Sequence, residues 1–301
     1  MIHKKRVIAL GFFDGVHIGH AALMHRVIKI GEEKKLVPSV VTFDTHPFHF
    51  VNGESVPLIN SSEDRADLLK RVFGMSDILF LRFDKNTAMM SWDKFINHLV
   101  EEFGARHLVA GEDFRFGHNA EGNSKLLKDK CSELGIGCDI IPDVVYDGVV
   151  SSSTYIRKLL TSGDIERANA FLGHPHVLTD TVQYGYKLGR KLGTPTINMR
   201  FGEGVLIPAY GVYATKVYLD DGSEHLGVTS IGVRPTIENT SPDSITAETH
   251  ILDFQKNLYG HKVRIEFYKL LRPEIKFENI LELSEQIQKD CTAAREYFCL
   301  S

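Results

Sequence analysis

The sequence predicts two domains, an α/β doubly wound domain followed by an antiparallel β-barrel with a C-terminal helix. Its 301 residues suffice for two domains of about 150 residues each. The first half alternates short β-type runs with helical patterns, as βαβ units around a parallel sheet do. Beyond about residue 175 the runs are rich in Val, Tyr, Thr and Ile and are separated by Gly, Pro and Asp turns, which favours antiparallel strands. We therefore predict domains at 1–172 and 173–301.

Hydrophobic periodicity defines the elements of the first half. The apolar run Arg6–Leu10 predicts the first strand. After a glycine-rich turn, apolar positions recur at helical spacing up to Ile30, and Ser39–Phe43 then predicts the second strand. Further strands are predicted at 78–83, 107–110 and 139–141, and further helices at 62–73, 91–103 and 123–134. A helical stretch at 152–172 is expected to join the domains.

The second half predicts strands closed by one helix. The strands are expected at 181–186, 210–219, 225–231, 245–254 and 262–271. In the last segment the apolar positions are Ile280, Leu283, Ile287, Cys291, Ala294 and Phe298. Because they repeat at spacings of three and four, one helix face should pack on the barrel.

Composition and charge exclude several classes of protein. The apolar run near the N-terminus is too short for a signal peptide, and no stretch approaches the roughly 20 apolar residues of a membrane span. The four cysteines match no redox pair or zinc-ligand spacing, so we interpret them as ordinary thiols. A net charge of -4 offers no basic field for a nucleic acid. We expect a cytoplasmic monomer or weak homo-oligomer with neither a nucleic-acid nor a membrane partner.

The turn between the first strand and the first helix has the strongest site signal. Ligands of doubly wound sheets bind beyond the C-terminal ends of the strands, and a helix N-terminus there favours an anion. His17 and His20 lie three residues apart and can donate to one phosphate chain, although they could also simply cap the helix or fill its rim. The candidate site residues of this turn are Gly11, Phe12, Asp14, His17, Gly19 and His20.

A second helix start suited to phosphate follows at Ser151–Arg157. Ser and Thr at such a start cap the helix, which is also a purely structural role. Arg157, one turn further on, adds a positive charge. The candidate phosphate-binding residues here are Ser152, Ser153, Thr154 and Arg157. Two such helix starts in one α/β domain favour a nucleoside triphosphate.

A glycine-rich loop opens the second domain. The segment 185–193 interleaves glycines with cations, so its backbone can approach a phosphate, and we expect contacts from Gly185, Lys187 and Gly193. It lacks the Gly-Lys-Ser/Thr of a Walker A loop and is equally consistent with a solvated hairpin tip.

Two polar residues follow that loop on an extended strand. Thr196 and Asn198 lie two residues apart, so both side chains point to the same side. Their hydroxyl and amide oxygens suit Mg²⁺, which keeps most of its water and takes one or two protein oxygens. Two ordinary polar strand positions would give the same pattern.

Together these segments resemble the bacterial bifunctional riboflavin kinase/FMN adenylyltransferases, or FAD synthetases, whose N-terminal module belongs to the HxGH nucleotidylyltransferase superfamily. The matching N-terminal stretches are Gly11–His20, Thr42–Pro47, Gly111–Gly117 and Val150–Arg157. The matching C-terminal stretches are Leu192–Asn198, Gly211–Tyr213, Gly227–Thr236, Glu248–His250, Asp253–Gly260 and Leu271–Phe277. The resemblance covers nearly the whole chain in the expected order.

For the first domain the resemblance implies a Rossmann-like fold and the transfer of AMP from ATP to FMN. The FMN phosphate would attack the α-phosphorus in line and expel pyrophosphate. His17 and His20 would be catalytic, since they stabilise the triphosphate and the leaving group. His46 would lie near the FMN or ATP phosphates, and Asp113 and Phe114 would contact the nucleotide or the flavin.

For the second domain the resemblance implies phosphorylation of riboflavin by ATP. Glu248 would take the proton from the 5′-hydroxyl of riboflavin. Thr196 and Asn198 would hold Mg²⁺ with the ATP phosphates. Arg272 would bind flavin or phosphate, although it could also simply form a surface salt bridge. The expected small-molecule substrates are therefore ATP, riboflavin and FMN.

Some positions depart from the family pattern, and none of them is assigned to the chemistry. Tyr155 stands where the family usually carries Arg. Near the entry to the second domain the departures are His174, His176, Asp180, Tyr184 and Tyr186 in place of Arg, Tyr, Gly, His and Asp. They make the strength of the kinase activity less predictable than the adenylyltransferase activity.

Three other functions fit parts of the sequence. Class I aminoacyl-tRNA synthetases also carry His-x-Gly-His, but this chain lacks their Lys-rich signature and RNA-binding domain. A single-activity nucleotidylyltransferase with a non-catalytic flavin-binding barrel would lack riboflavin phosphorylation. A flavin-binding sensor without turnover would have no need for Glu248 beside a metal site.

Overall fold

In the computed structural model the chain forms two units, Met1–Ser153 and Thr154–Ser301, and the structure describes residues 4–44, 56–184, 194–233 and 245–300. The segment from Thr154 to Leu172 packs within the second unit, where the Asn169 amide donates to the Phe267 carbonyl at 2.8 Å. The functional boundary at residue 172 stays a prediction.

The first unit is built on a five-stranded parallel sheet in the order β3-β2-β1-β4-β5. Its strands are β1 (Arg6–Leu10), β2 (Val37–Phe43), β3 (Asp77–Leu81), β4 (Ala105–Gly111) and β5 (Gly137–Ile141), followed by the hairpin β6 (Val145–Tyr146) and β7 (Val149–Val150). Its helices are α1 (Ile18–Lys34), α2 (Ser62–Phe73), α3 (Lys85–Ala88), α4 (Trp92–Glu101) and α5 (Ser124–Glu133). The predicted doubly wound α/β class is confirmed.

Local signals explain where these helices begin and end. The Ser61 hydroxyl accepts from the Asp64 N–H and so starts α2, and Gly74 ends it at φ 67°. The apolar faces of α4 and α5 pack on β1 and β4 through Ile96, Leu99 and Leu127, all fully buried. This core holds the strand ends in fixed positions.

The second unit is a six-stranded antiparallel sheet in the order β8-β13-β10-β11-β12-β9. Its strands are β8 (His176–Thr181), β9 (Thr196–Arg200), β10 (Gly211–Tyr218), β11 (Glu224–Val233), β12 (Ile245–Ile251) and β13 (Lys262–Pro273). Its helices are α6 (Ser153–Ser162), which begins one residue before the unit, α7 (Ile165–Leu172) and α8 (Ile280–Leu300). A β-bridge between Gln183 and Asn198 links the chain after β8 to β9, so the sheet curls into a half-barrel.

Helix α8 covers one face of the barrel as its periodicity predicts. Cys291 and Ala294 are buried against Val212, Ala214 and Val228 of β10 and β11. Inside the sheet, the hydroxyls of Thr215, Thr229 and Thr249 form a chain of hydrogen bonds at 2.9 and 2.8 Å. The buried threonines are therefore satisfied by one another.

One predicted strand was placed wrongly. We expected a strand at 181–186, whereas β8 occupies His176–Thr181 and pairs with β13, for example Leu178 with Ile265. Burial of Val177 and Leu178 in that pairing outweighs the β-propensity of the residues that follow. The helical stretch at 152–172 is split into α6 and α7 at Gly163, whose φ is 83°.

Two further sequence expectations concern thiols and membranes. The four cysteines are free thiols, as predicted. Throughout the described ranges, each helix is too short or too polar to cross a membrane.

Candidate active sites

The first candidate site lies at the C-terminal edge of the parallel sheet. The register pairs Leu10 of β1 with Val41 of β2 and with Ala110 of β4, so these three strands end side by side. The turn after β1, the Phe43 end of β2 and the loop after Gly111 therefore share one edge. This is where parallel sheets bind ligands.

His17 caps helix α1 through its ring. Its Nδ1 accepts from the Gly19 N–H at 3.1 Å, so a neutral ring carries its proton on Nε2. The Ser151 hydroxyl lies 3.4 Å from the same Nδ1. A Cβ on residue 19 would approach the His17 ring to 2.8 Å, so glycine is required there. The His17 ring is thus fixed at the positive end of α1.

His20 stacks on His17 and is largely enclosed. The two ring centroids are 3.7 Å apart, and the Phe13 ring meets His20 edge-on at 5.1 Å. In the part of the chain that the structure describes, the His20 Nδ1 is buried without a hydrogen-bond partner. Burial, together with the neighbouring His17 and Arg65, lowers the pKa of His20 well below its usual value. At neutral pH this ring is therefore uncharged.

Backbone strain is concentrated in the same turn. Phe13 and Val16 adopt positive φ angles of 59° and 45°, which non-glycine residues rarely do. Below the turn, the Thr42 hydroxyl donates to the Phe12 carbonyl at 2.9 Å. A Cβ on Gly11 would meet the Phe13 ring at 2.8 Å. The surrounding structure thus holds the predicted residues Gly11 and Phe12 in one backbone path.

Asp14 organises the turn from inside. Its buried carboxylate accepts from the backbone N–H groups of Ile59 and Asn60, at 2.9 and 3.4 Å. Its carbonyl accepts from the Ser153 hydroxyl at 2.9 Å, so the predicted residues Asp14 and Ser153 are in direct contact. The carboxylate itself is engaged in holding the chain before α2.

The predicted phosphate-binding residues at 152–157 are divided between the two structural units. Ser152 precedes α6 in the first unit, whereas Thr154 and Arg157 belong to the second unit. The roles of Thr154 and Arg157 at the ATP site stay predictions.

An apolar cavity of about 290 Å³ opens beside the ends of β2 and β4. Phe43, Phe83 and Phe116 line it, and Arg115 adds a cation. The predicted flavin residue Phe114 stacks on Phe116 at 5.4 Å, so it supports a lining residue. Asp113 lies next to Phe114 in the loop that follows Gly111, outside the cavity lining. The matched stretch Gly111–Gly117 already contained Arg115 and Phe116, but the pattern alone did not show which of its residues face the cavity.

Four predicted site residues lie outside the described residues. They are His46, Gly185, Lys187 and Gly193. Tyr186, one of the departures from the family pattern, lies there too.

The second candidate site forms on β9 and β12 of the second unit. The register pairs Glu248 directly with Asn198, and His250 with Thr196. Directly opposed residues have Cβ atoms about 4.5–5.5 Å apart and point to the same face. Thr196, Asn198 and Glu248 therefore present a hydroxyl, an amide and a carboxylate on one surface. The structure brings together the three residues that the sequence assigned to kinase chemistry.

A cavity of about 540 Å³ adjoins this surface. Thr196 and His250 line one side, and the loop from Asp253 to Tyr259 lines the other. The His250 Nδ1 lies 2.9 Å from the Pro195 carbonyl, which fixes the start of β9. Phe254 and Tyr259 supply aromatic walls. Sequence reasoning missed this loop as a site, although its pattern was part of the resemblance.

Arg272 is held by a carboxylate of the last helix. Its guanidinium contacts Asp290 of α8 through Nε at 3.0 and 3.1 Å and through Nη2 at 2.8 Å. Its Nη1 donates to the Pro273 carbonyl at 3.2 Å. This ion pair ties β13 to α8, and the predicted flavin contact of Arg272 stays a prediction.

Among the departures near the entry to the second unit, Asp180, Tyr184 and His174 have hydrogen-bond or stacking partners. The Asp180 carboxylate accepts from the Arg200 N–H at 2.8 Å, and Tyr184 stacks on Tyr259 with centroids 4.1 Å apart. His174 Nδ1 lies 2.8 Å from the Pro175 carbonyl. His176 is 1% exposed beside Phe267, and neither of its ring nitrogens has a hydrogen-bond partner among the residues that the structure describes.

Comparisons with known proteins match the two parts of the chain to two enzyme families. A family model described as FAD synthetase matches residues 1–155, and one described as riboflavin kinase matches residues 172–298. The bifunctional riboflavin kinase/FMN adenylyltransferase of Bacillus subtilis is 36% identical over 98% of this chain and 93% of its own. The Escherichia coli K12 protein of the same description is 34% identical over 98% of this chain and 93% of its own.

A solved structure extends the comparison to the fold. A crystal structure described as a macrolide-efflux protein from Streptococcus pneumoniae has 27% sequence identity and a TM-score of 0.85. The match covers 97% of this chain and 94% of that one.

The parallel sheet with its HxGH turn (His17–His20) and the antiparallel half-barrel, taken with the two family models, identify a two-domain enzyme of flavin-nucleotide synthesis. One family model matches each half of the chain, and the relatives align over nearly the full length. The chain belongs to the bifunctional riboflavin kinase/FMN adenylyltransferase family, with the two activities that produce FMN and FAD.

Proposed function

We propose that the first unit transfers AMP from ATP to FMN through the HxGH turn. A phosphate oxygen of FMN attacks the α-phosphorus of ATP, the bond to the β-phosphate oxygen breaks, and pyrophosphate leaves. No covalent intermediate with the enzyme is required, so positioning and charge neutralisation account for the catalysis.

His17 and His20 serve this step at the N-terminus of α1. The tautomer set by the Gly19 N–H makes Nε2 the donor atom of a neutral His17 ring. The His20 ring, stacked on His17, is uncharged at neutral pH and gains basicity when the triphosphate binds. Both rings and the helix dipole then stabilise the negative charge on the leaving pyrophosphate.

The aromatic cavity beside this turn supports binding of the flavin ring system. Phe43, Phe83 and Phe116 offer flat apolar walls, and such rings stack on planar aromatic ligands. Arg115 at its rim supplies a donor. FMN in this cavity would direct its phosphate towards the end of β1.

In the second unit we propose Glu248 as the base that takes the proton of the riboflavin 5′-hydroxyl. Its carboxylate faces Asn198 across the β9–β12 pair. The three oxygen donors on this surface fit Mg²⁺, with Thr196 and Asn198 as the residues that would hold it. When bound, the metal neutralises charge on the ATP phosphates. The large cavity next to Thr196 accommodates the nucleoside part of ATP, with Phe254 and Tyr259 near the base.

The observation that carries this proposal is the register of β9 and β12, which places Glu248 opposite Asn198 and brings Thr196 to the same face. A flavin-binding protein without turnover has no use for this set, and neither has a non-catalytic barrel. A cytoplasmic location and a monomeric or weakly associated state remain predictions.

The direct test is a chromatographic time course of the purified protein with riboflavin, Mg²⁺ and ATP. FMN that appears first and FAD that follows would support both assignments. FAD formed only from added FMN would leave an adenylyltransferase with an inactive barrel. If neither riboflavin nor added FMN is converted, both activity assignments are wrong.

A further inference from the structure

Arg65 is a fully buried cation beside the HxGH turn, with 0% of its surface exposed. It lies in the first turn of α2 and donates through Nη2 to the Phe43 carbonyl at 2.6 Å. Its guanidinium carbon lies 4.2 Å from the centroid of the Phe12 ring. Within the described part of the chain, Nε and Nη1 of Arg65 are buried and have no hydrogen-bond partner.

Arg65 lies between two parts of the proposed adenylyltransferase site, the HxGH turn and the aromatic cavity. Phe12 belongs to the HxGH turn, and His20 is near enough for the charge of Arg65 to lower its pKa. Phe43, on the other side, lines the aromatic cavity. A phosphate that travels from the flavin cavity towards the triphosphate must come close to this guanidinium.

A second buried polar side chain lies in the same segment. Asn60 is 1% exposed, and neither atom of its side-chain amide has a hydrogen-bond partner in the described structure. The Asp14 carboxylate accepts from the Asn60 backbone N–H, which fixes this residue just before α2. Arg65 and Asn60 thus present two unsatisfied donor groups on one short stretch.

Buried donors without partners destabilise a folded protein, because they lose their hydrogen bonds to water and gain none in return. Burial lowers the pKa of Arg65 to about 10, so the group remains charged at neutral pH. Nearby carboxylates of Asp14 and Asp44 compensate in part. A structural arginine would be expected to use its donors, and this one leaves two of its three nitrogens unused.

We propose that Arg65 binds the phosphate of FMN in the adenylyltransferase site, with the Asn60 amide as a second donor. The assignment rests on the proposed function of the first unit. The attack brings the FMN phosphate against the triphosphate of ATP, and these anions repel each other. Arg65 reduces that repulsion where the new bond forms, while the α1 terminus holds the triphosphate.

The test compares Arg65→Met with Arg71→Met, a matched change at an exposed arginine on the same helix. Steady-state FAD formation gives KM for FMN and for ATP, and thermal unfolding gives Tm.

We expect Arg65→Met to raise KM for FMN at least about tenfold, because a charge-assisted hydrogen bond is lost. KM for ATP should change much less. The Tm of Arg65→Met should be equal to or higher than that of the wild type, because an unsatisfied buried charge is removed. Arg71→Met should leave both KM values unchanged.

Several outcomes would overturn the assignment. An unchanged KM for FMN in Arg65→Met would do so, as would equal rises in KM for FMN and ATP. A lowered Tm with both KM values unchanged would identify Arg65 as a structural residue. If Arg65→Met does not fold, Arg65→Lys supplies the same comparison. The lysine ammonium keeps the charge but cannot reach the positions of the guanidinium nitrogens, so KM for FMN should rise while KM for ATP stays close to the wild-type value. Absence of FAD from the wild type would instead refute the adenylyltransferase function, which keeps the two failures distinct.

Discussion

Glu248 of β12 lies directly opposite Asn198 of β9, in a register that also sets Thr196 on the same face. The backbone pairing of two strands thus determines the spacing between a proposed base and the proposed metal-holding residues. Because strands are rigid elements, this spacing is less variable than one set by loops.

Glu248→Gln should abolish most of the kinase activity. The amide keeps the size of the side chain but cannot accept the hydroxyl proton, so kcat for riboflavin phosphorylation should fall by about 10²–10⁴. FAD formation from added FMN should persist, because the first unit carries its own site. Chromatography with each substrate in turn measures both. Normal riboflavin phosphorylation by this variant would remove Glu248 from the mechanism.

Asn198→Leu should change the metal requirement of the kinase. The substitution keeps the number and branching of the side-chain heavy atoms and removes the amide oxygen, so the Mg²⁺ concentration for half-maximal activity should rise at least about tenfold. A titration of riboflavin phosphorylation against Mg²⁺ at fixed ATP checks this. Met199→Leu, at a fully buried position on the opposite side of the same strand, is the control. If both variants share the wild-type Mg²⁺ dependence, Asn198 does not hold the metal.

His20→Ala should impair the adenylyltransferase activity. Loss of one donor from the transition state should lower kcat for FAD formation by about 10²–10³, while riboflavin phosphorylation continues. The single-site change leaves the Gly19–His17 cap in place, so α1 should remain intact. Loss of both activities in a protein with an unchanged circular dichroism spectrum would contradict separate sites.

The sequence predicted the order and class of the elements because hydrophobic periodicity and turn residues are local signals. Helix 62–73 was predicted at its observed limits, since Ser61 and Gly74 provide clear start and stop signals. Strand β8 was misplaced because its position depends on pairing with β13, a contact remote in sequence. Local patterns do not carry that information.

The sites were predictable to different degrees for a similar reason. His17, His20, Thr196, Asn198 and Glu248 lie in motifs that resemble a known family, so their types and spacing were informative. Arg65 was missed because it sits in an ordinary amphipathic helix, where an arginine is usually a solvated residue. Only its burial and unused donors, visible in three dimensions, mark it.

The ion pair between Arg272 and Asp290 should dominate the effect of changing either residue. Arg272→Met leaves the Asp290 carboxylate, 4% exposed, without its main partner, and should destabilise the fold by about 3–5 kcal/mol. The double variant Arg272→Met/Asp290→Leu should recover much of this loss, as urea unfolding would show. KM for riboflavin in the double variant then tests the predicted flavin contact. A normal KM in the stable double variant would leave Arg272 with a structural role only.

His176 should make the second unit sensitive to acid. Burial, with a smaller contribution from His174, lowers the pKa of His176 from 6.5 to about 3. The unfolded chain therefore binds a proton that the folded chain does not between these two values, and stability falls as the pH drops below about 6.5. Between pH 7 and pH 5 this residue alone should lower the free energy of unfolding by about 2 kcal/mol.

His176→Leu, which has a similar volume and no titrating group, should flatten this part of the pH dependence. Urea unfolding at pH 7 and pH 5, followed by the fluorescence or circular dichroism of the chain, measures the difference for each variant. His25→Gln, at an exposed position on α1, should retain the wild-type difference. An identical acid-induced loss in His176→Leu and the wild type would show that folding does not lower the pKa of His176, so that its ring takes up a proton in the folded state as readily as in the unfolded chain.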